Sequence, residues 1–203
     1  MICDLHCPLI AHFIDWMIAD GIALTIIDPG PPAGHIADCK IALCDDGSFE
    51  LTVGTAEFGN GTSTVHRQIA ATALATTVDC INLKQSDTAH GGHDTGAYGS
   101  AGVFVAGRAT QAAAENLARD LKALASHITD VDPSACILED GHAICGTQRL
   151  SYADLARSAR GSGRSLAANG TSEGSPRSVA FNVQGFRVAV NKCSGEVRIL
   201  KSW

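Results

Sequence analysis

Basic charge is scarce in this chain: Lys and Arg total 15 against 21 Asp and Glu, a formal charge of −6 over 203 residues. A nucleic-acid partner would call for a basic face, so composition gives that class no support, and any anionic ligand must be held by local donors. A basic start is missing from the N-terminus too. The opening MICDLHCPLIAHFIDWMIADGIALTII is rich in apolar residues but lacks the positive n-region of a signal peptide. Asp15 and Asp20 interrupt it as a membrane span. Cys3, His6 and Cys7 could begin a metal site, yet no second ligand pair follows at a matching spacing, which argues against zinc. An internal repeat is also absent. The eight cysteines do not mark a disulfide scaffold, which is short and loop-rich. Several sit in apolar, strand-like runs such as CKIALC, and the expectation is reduced thiols in a cytoplasmic protein.

What is present is a globular composition, 45% hydrophobic and 18% charged, long enough for one sizeable domain or two small ones. GIALTII (21–27) predicts a buried strand ended by the turn-rich DPGPPAGH. CKIALCDDGSFELTVG predicts a hairpin turning at Asp45, Asp46 and Gly47, whose second strand runs straight into a glycine-rich segment. From Thr62 a helix is indicated, because Val65, Ile69, Ala73 and Leu74 fall on one face; Thr62, Ser63 or Thr64 could cap it. VDCINLKQSDT predicts a strand and AHGGHDTGAYGSAG an irregular loop. A long helix follows over 106–126, burying Ala109, Ala112, Ala113, Leu117, Leu121 and Leu124. Two short strands around Asp140-Gly141 precede a short helix that Ser151 could cap. GSGRSLAANGTSEGSPRS predicts a flexible connector, and the last 25 residues a hairpin turning near Ser194-Gly195. This order gives an α/β (α+β) class, a mixed sheet with packed helices.

Two glycine loops, EFGNGTST and TGAYGSAG, each precede a helix. A helix N-terminus offers unpaired N–H groups that favour anions, and glycines allow close backbone approach, so a pair of such loops could grip one long phosphate-bearing cofactor. Plain turns are the alternative. A Walker loop fails because Asn60 stands where the phosphate-binding lysine belongs, and no tight strand–G-x-G-x-x-G–helix unit is present for a dinucleotide. Asp87, His90, His93 and Asp94 could ligate a metal, although loop polar residues more commonly satisfy their own backbone. Ser100 is not in a hydrolase elbow, and His66 reads as a surface or partly buried helix residue.

At these loops the sequence resembles the molybdopterin-binding large subunit of the xanthine dehydrogenase/aldehyde oxidase family, in its second molybdenum-cofactor-binding domain. The residues that carry this are GTAEFGNGTSTVHRQIAATAL, QSDTAHGGHDTGAYGSAGVFVAGRATQAAAENL and FRVAVNKCSGEVRIL. The resemblance covers residues 21–203 as a partial molybdopterin-binding domain and leaves 1–20 as a divergent segment. It implies a molybdopterin (molybdenum) cofactor contacted by Phe58, Gly59 and Asn60 on one side and by Gly99, Ser100 and Ala101 on the other. Asn60 stands where the family usually has glutamine. The implied chemistry is oxidation of aldehydes or N-heterocycles with water-derived oxygen, electrons leaving through iron–sulfur clusters and FAD on other subunits or domains. The family's catalytic glutamate sits in a G-x-G-E motif that does not occur here, nor does the G-G-F-G-G loop of the first cofactor domain or the cysteine motifs of the iron–sulfur domains. The expectation is a fragment with no catalytic residue of its own, inactive alone, partnered by the remaining large-subunit domains and the iron–sulfur/flavin subunits. A non-catalytic partner module of a split enzyme, or a folded remnant without ligand, are the alternatives.

Overall fold

The structure, a computed structural model, describes residues 15–27, 34–98, 102–174 and 180–203. In chain order its strands are β1 (Trp16–Ile27), β2 (His35–Leu43), β3 (Phe49–Val53), β4 (Ile81–Gln85), β5 (Cys136–Glu139), β6 (His142–Cys145), β7 (Gln148–Ser151), β8 (Ala167–Gly174), β9 (Ala180–Asn191) and β10 (Val197–Ser202). Three helices lie among them: α1 (Thr62–Ala73), α2 (Gly102–Thr129) and α3 (Tyr152–Gly161). The mixed α+β class agrees with the order of the sequence signals. One unit is built from the two ends of the chain, up to Ile27 and from Val179 onward; the other is Asp28–Ser178.

In the larger unit β2 alternates, with His35, Ala37, Cys39 and Ile41 buried and Ile36 and Lys40 exposed. A period of two marks a sheet covered on one face. The turn at Asp45–Gly47 returns β3 antiparallel to β2, and Phe49, Leu51 and Val53 enter the same core. Next to it β4 runs parallel to β3. Parallel neighbours need a crossover, which α1 supplies. Because β3 and β4 run the same way, they end at the same edge of the sheet. The segments that follow them therefore emerge side by side.

Helix α2 forms the other wall. Ala109, Ala113, Leu117, Leu121 and Leu124 are buried as their spacing predicts, while Ala112 is only half-buried and the helix runs past both predicted ends. The predicted connector is a correction: Ala167–Gly174 pairs antiparallel with β2 along its whole length and completes a sheet of order β4-β3-β2-β8. Apart from Thr171 the strand AANGTSEG has no β-branched or aromatic residue, so propensity hides it. Its small side chains have a packing reason. A Cβ on Gly170 would lie 2.1 Å from the Ala109 carbonyl oxygen and 2.4 Å from the Ala113 nitrogen, so strand and helix backbones touch.

The meander β5-β6-β7 turns at Asp140 (φ 46°) and Gly141 (φ 75°), both left-handed as a two-residue hairpin requires. Its third strand ends at Ser151, whose hydroxyl accepts the Asp154 N–H at 3.1 Å and caps α3 as predicted. Cys136 and Cys145 face each other across β5 and β6 and form a disulfide, so this pair departs from the reduced-thiol expectation. Strand pairing brings together two cysteines that lie nine residues apart in sequence.

In the unit of the chain ends, β9 pairs antiparallel with β1 and with β10. β1 starts five residues before the predicted strand at 21–27, pairing from Trp16↔Asn191 onward. Asp20 and Arg187 form a bidentate pair at 2.7 Å, and the Arg187 and Lys201 cations lie over the Trp203 ring. The strand expected to be buried is a correction, because Ile22, Leu24 and Ile26 are exposed on this sheet, as are Phe181, Val183 and Ile199.

Candidate functional site

The first glycine loop, 54–61, joins β3 to α1. The helix starts after Gly61, held in the left-handed region (φ 79°), and no residue at its start caps it through a side chain. Thr62, Ser63 and Thr64, expected as caps, are displaced by Glu57. Its carboxylate accepts the Ser63 N–H (2.9 Å), the Gly61 N–H (3.1 Å) and the Gly59 N–H (2.7 Å), with the Thr62 hydroxyl 3.1 Å away. The Ser63 and Gly61 N–H groups, more than the others, hold the Glu57 carboxyl down at about 2. The positive end of α1 is therefore filled by the chain's own anion, so a ligand phosphate does not take these N–H groups. What the loop leaves open is different. Gly59 (φ 94°) and Gly61 face empty space, where a Cβ would meet nothing within 4 Å but the left-handed backbone would strain any side chain. Phe58 is 66% exposed beside them. Asn60 turns its amide oxygen back toward the Thr62 hydroxyl (3.2 Å), which leaves its NH₂ without a partner among the described residues.

The second loop, after β4, is sewn to the first and to β2. Ser86 donates to the Thr55 carbonyl at 2.8 Å, and a Cβ on Gly54 would come within 2.7 Å of Asp94 Cβ. Asp38 N–H donates to the His93 carbonyl (2.8 Å), and the Thr95 hydroxyl receives the Ile36 N–H at 2.8 Å. The four residues weighed as metal ligands serve their own surroundings instead. Asp87 accepts His90 Nδ1–H (2.7 Å) and the Ala89 N–H (2.9 Å), which together lower its carboxyl pKa, the His90 bond first. Asp94 accepts the Gly96 N–H at 2.8 Å, and His93 contributes its carbonyl. Between the loops lies a cleft of about 500 Å³ lined by Gly54, Ala56, Ser86, Asp87, His93 and Asp94 among others, with no lysine or arginine. Tyr98, half exposed, stacks at 4.7 Å on the buried His35, whose Nε2 meets the Gly96 carbonyl at 3.2 Å. Gly99, Ser100 and Ala101, expected opposite Phe58–Asn60, lie outside the described residues.

Sequence reasoning missed a buried polar chain beneath the first loop. His66, expected at the surface or partly buried, is fully buried. Its Nε2 lies 3.2 Å from the Thr55 hydroxyl and its Nδ1 2.8 Å from the Thr110 hydroxyl on α2. Gln85 at the end of β4 donates to Thr55 (3.4 Å) and Thr62 (3.3 Å) and accepts from Ser63 (2.6 Å). Burial pushes the imidazole pKa down to about 4, so the ring is neutral at ordinary pH. The one available signal was a polar residue at 66, one position along from the apolar stripe of Val65 and Ile69.

A parallel strand pair whose carboxyl ends present two interlocked glycine loops over a cleft defines a ligand-holding α+β domain. The chain belongs to the molybdopterin cofactor-binding domain family, whose model matches residues 16–203. It is 31% identical over 195 residues to a probable hypoxanthine oxidase of Escherichia coli K12, covering 92% of this chain and 20% of that protein. It is 31% identical over 99 residues to the carbon monoxide dehydrogenase large chain of Hydrogenophaga pseudoflava, covering 49% of this chain and 12% of that one. Quinoline 2-oxidoreductase from Pseudomonas putida 86 shares the fold, with a TM-score of 0.76 at 18% identity over 93% of this chain and 26% of that one. The chain thus spans about a fifth of the Escherichia coli protein and about a quarter of the quinoline oxidoreductase chain. Among the described residues no helix is long and apolar enough to cross a membrane. The open faces of Gly59 and Gly61, the free Asn60 amide and the exposed Phe58 ring fit a flat heterocycle with hydrogen-bonding edges, so the residues present suit a pterin.

Proposed function

We propose that this chain is the cofactor-contacting part of a molybdenum hydroxylase of the xanthine dehydrogenase/aldehyde oxidase type, inactive by itself. The carrying observation is the pair of left-handed glycines, Gly59 and Gly61, turned to open space in a loop whose first residues, Gly54 and Ala56, line the cleft. Phe58, Gly59 and Asn60 would hold one side of the pterin, and Gly99, Ser100 and Ala101 the other. When bound, the molybdenum cofactor supplies the redox chemistry that places water-derived oxygen on an aldehyde or N-heterocycle. This chain's residues bind and orient it. None of Glu57, Asp87 and Asp94 stands free as a base, because each carboxylate is tied to N–H groups of its own loop. The base, the substrate pocket and the iron–sulfur and flavin groups then belong to partner domains or subunits, as the short span relative to the relatives also suggests.

The test is molybdenum and pterin content after expression in cells competent for cofactor synthesis. Wild-type protein should carry near-stoichiometric cofactor, and Asn60→Ala and Gly61→Val should each carry about tenfold less, the loss one hydrogen bond or one clash produces. Equal, negligible cofactor in all three would sink the reading. Aldehyde turnover by the chain alone would refute its inactivity.

A further inference from the structure

We propose that His66 is a positioning residue for the cofactor, clamping the first glycine loop to α2 and so setting the gap between the two halves of the cradle. This rests on the reading that the loops at 54–61 and 86–98 hold the pterin. The protonation pattern follows from the partners. The Thr110 hydroxyl donates to the Ala106 carbonyl at 3.0 Å, so it must accept from His66, which places the ring proton on Nδ1. Nε2 is then an acceptor, and Thr55, which already accepts from Gln85, donates to it. One neutral tautomer satisfies every group. An imidazolium would turn a second donor toward Thr55, whose hydroxyl could accept it only by turning its own hydrogen away and losing the bond it donates to the ring.

Thr55 lies two residues before Glu57, the group that orders the loop, and Thr110 lies on the helix that follows the second loop. His66 is thus a single rigid side chain joining both halves. No charged side chain helps to shift it: burial alone acts on its pKa. The titratable groups linked to it are Cys39 on β2, bonded to the same Thr110 hydroxyl and kept a thiol by burial at about 12, and Glu57, reached through Thr62 and Gln85. Glu57 stays ionised until about pH 2. An acid transition of the loop near pH 4 that His66→Phe abolishes therefore reports on the imidazole.

The experiment compares His66→Phe, Thr55→Val and Thr110→Val, the valines cutting one arm each with little change of shape. A core control, Leu155→Ala, lowers stability far from the loops. Amide exchange at Gly59, Gly61 and Ser63 is followed by NMR in the cofactor-free chain from pH 7 to 3.5, and cofactor content is measured in cofactor-competent cells. Exchange should quicken about tenfold in all three variants, as expected for one lost hydrogen bond, and not in the control. The wild type should show the same quickening, beyond the intrinsic rate, on passing pH 4. Cofactor content should fall in step. Unchanged loop exchange in both valine variants, or quickened exchange with full cofactor content, overturns the proposal. Because exchange is read without cofactor, a failed clamp is separable from a chain that binds no pterin, which sinks the underlying reading instead.

Discussion

Replacing Gly170 with alanine tests the closest approach at any glycine among the described residues. The added Cβ would sit 2.1 Å from the Ala109 carbonyl oxygen and 2.4 Å from the Ala113 nitrogen, both backbone atoms that cannot swing aside. Restoring ordinary contact distances requires β8 and α2 to part by about 1 Å, and in a close-packed interior such overpacking costs about 1–3 kcal/mol. The parting also opens a gap along Val105, Ala109, Ala113 and Leu117, all at or below 2% exposure. A gap of that size forfeits a quarter to a half of each dispersion contact, which brings the expected loss to about 3–5 kcal/mol. With a urea m-value of about 2–3 kcal/mol/M, the unfolding midpoint should drop by about 1–2 M. Gly161→Ala is the control, because at the end of α3 its Cβ meets nothing within 4 Å. That variant should be neutral or up to about 1 kcal/mol more stable. A Gly170→Ala protein within about 1 kcal/mol of wild type would refute the reasoning that backbone contact dictates this strand's composition.

Stability should also depend on pH through His66. Burial brings its folded pKa down to about 4 from the 6.5 of a solvated imidazole, so the unfolded chain binds the extra proton. Stability is then full above pH 6.5, declines as pH falls below it, and levels off near pH 4 after losing about 3 kcal/mol; urea titrations of His66→Phe should lack that limb. Reduction of Cys136–Cys145, which closes a nine-residue separation, should lower stability by roughly 2–3 kcal/mol, read as a shift in thermal midpoint with and without reductant. Tyr152→Phe leaves the buried Leu74 carbonyl without its hydroxyl donor. It should cost about 1–3 kcal/mol by chemical denaturation.

What the sequence conveys depends on how local the physics is. Helix α2 was legible because its apolar residues recur with the helical period, and the β2–β3 hairpin because Asp45-Asp46-Gly47 marks its turn. β8 was not, because small residues there answer to a helix backbone some sixty residues away in sequence. At the site, Phe58, Gly59 and Asn60 were visible as a motif. Glu57 was overlooked because its carboxylate reaches forward over six residues to Ser63, beyond the span of an ordinary cap. His66 reads as a surface or partly buried residue because it falls beside the apolar stripe of Val65 and Ile69 rather than on it. The actual buried face includes Thr62, His66 and Ala70, an interior with hydroxyls and a ring that hydrophobicity alone does not register.

The carboxylate of Glu57 has a consequence for selection in a crowded cell. An exposed helix start with free N–H groups is an indiscriminate trap for inorganic phosphate, sulfate and nucleotides, all of which would compete with a scarce cofactor. With its own acid seated there, the loop is indifferent to such competitors and keeps its shape while vacant. On the proposed function, recognition would fall to the open glycine backbone, the Asn60 amide and the Phe58 ring, features that respond to the outline and edges of a heterocycle and give a lone oxyanion little to hold.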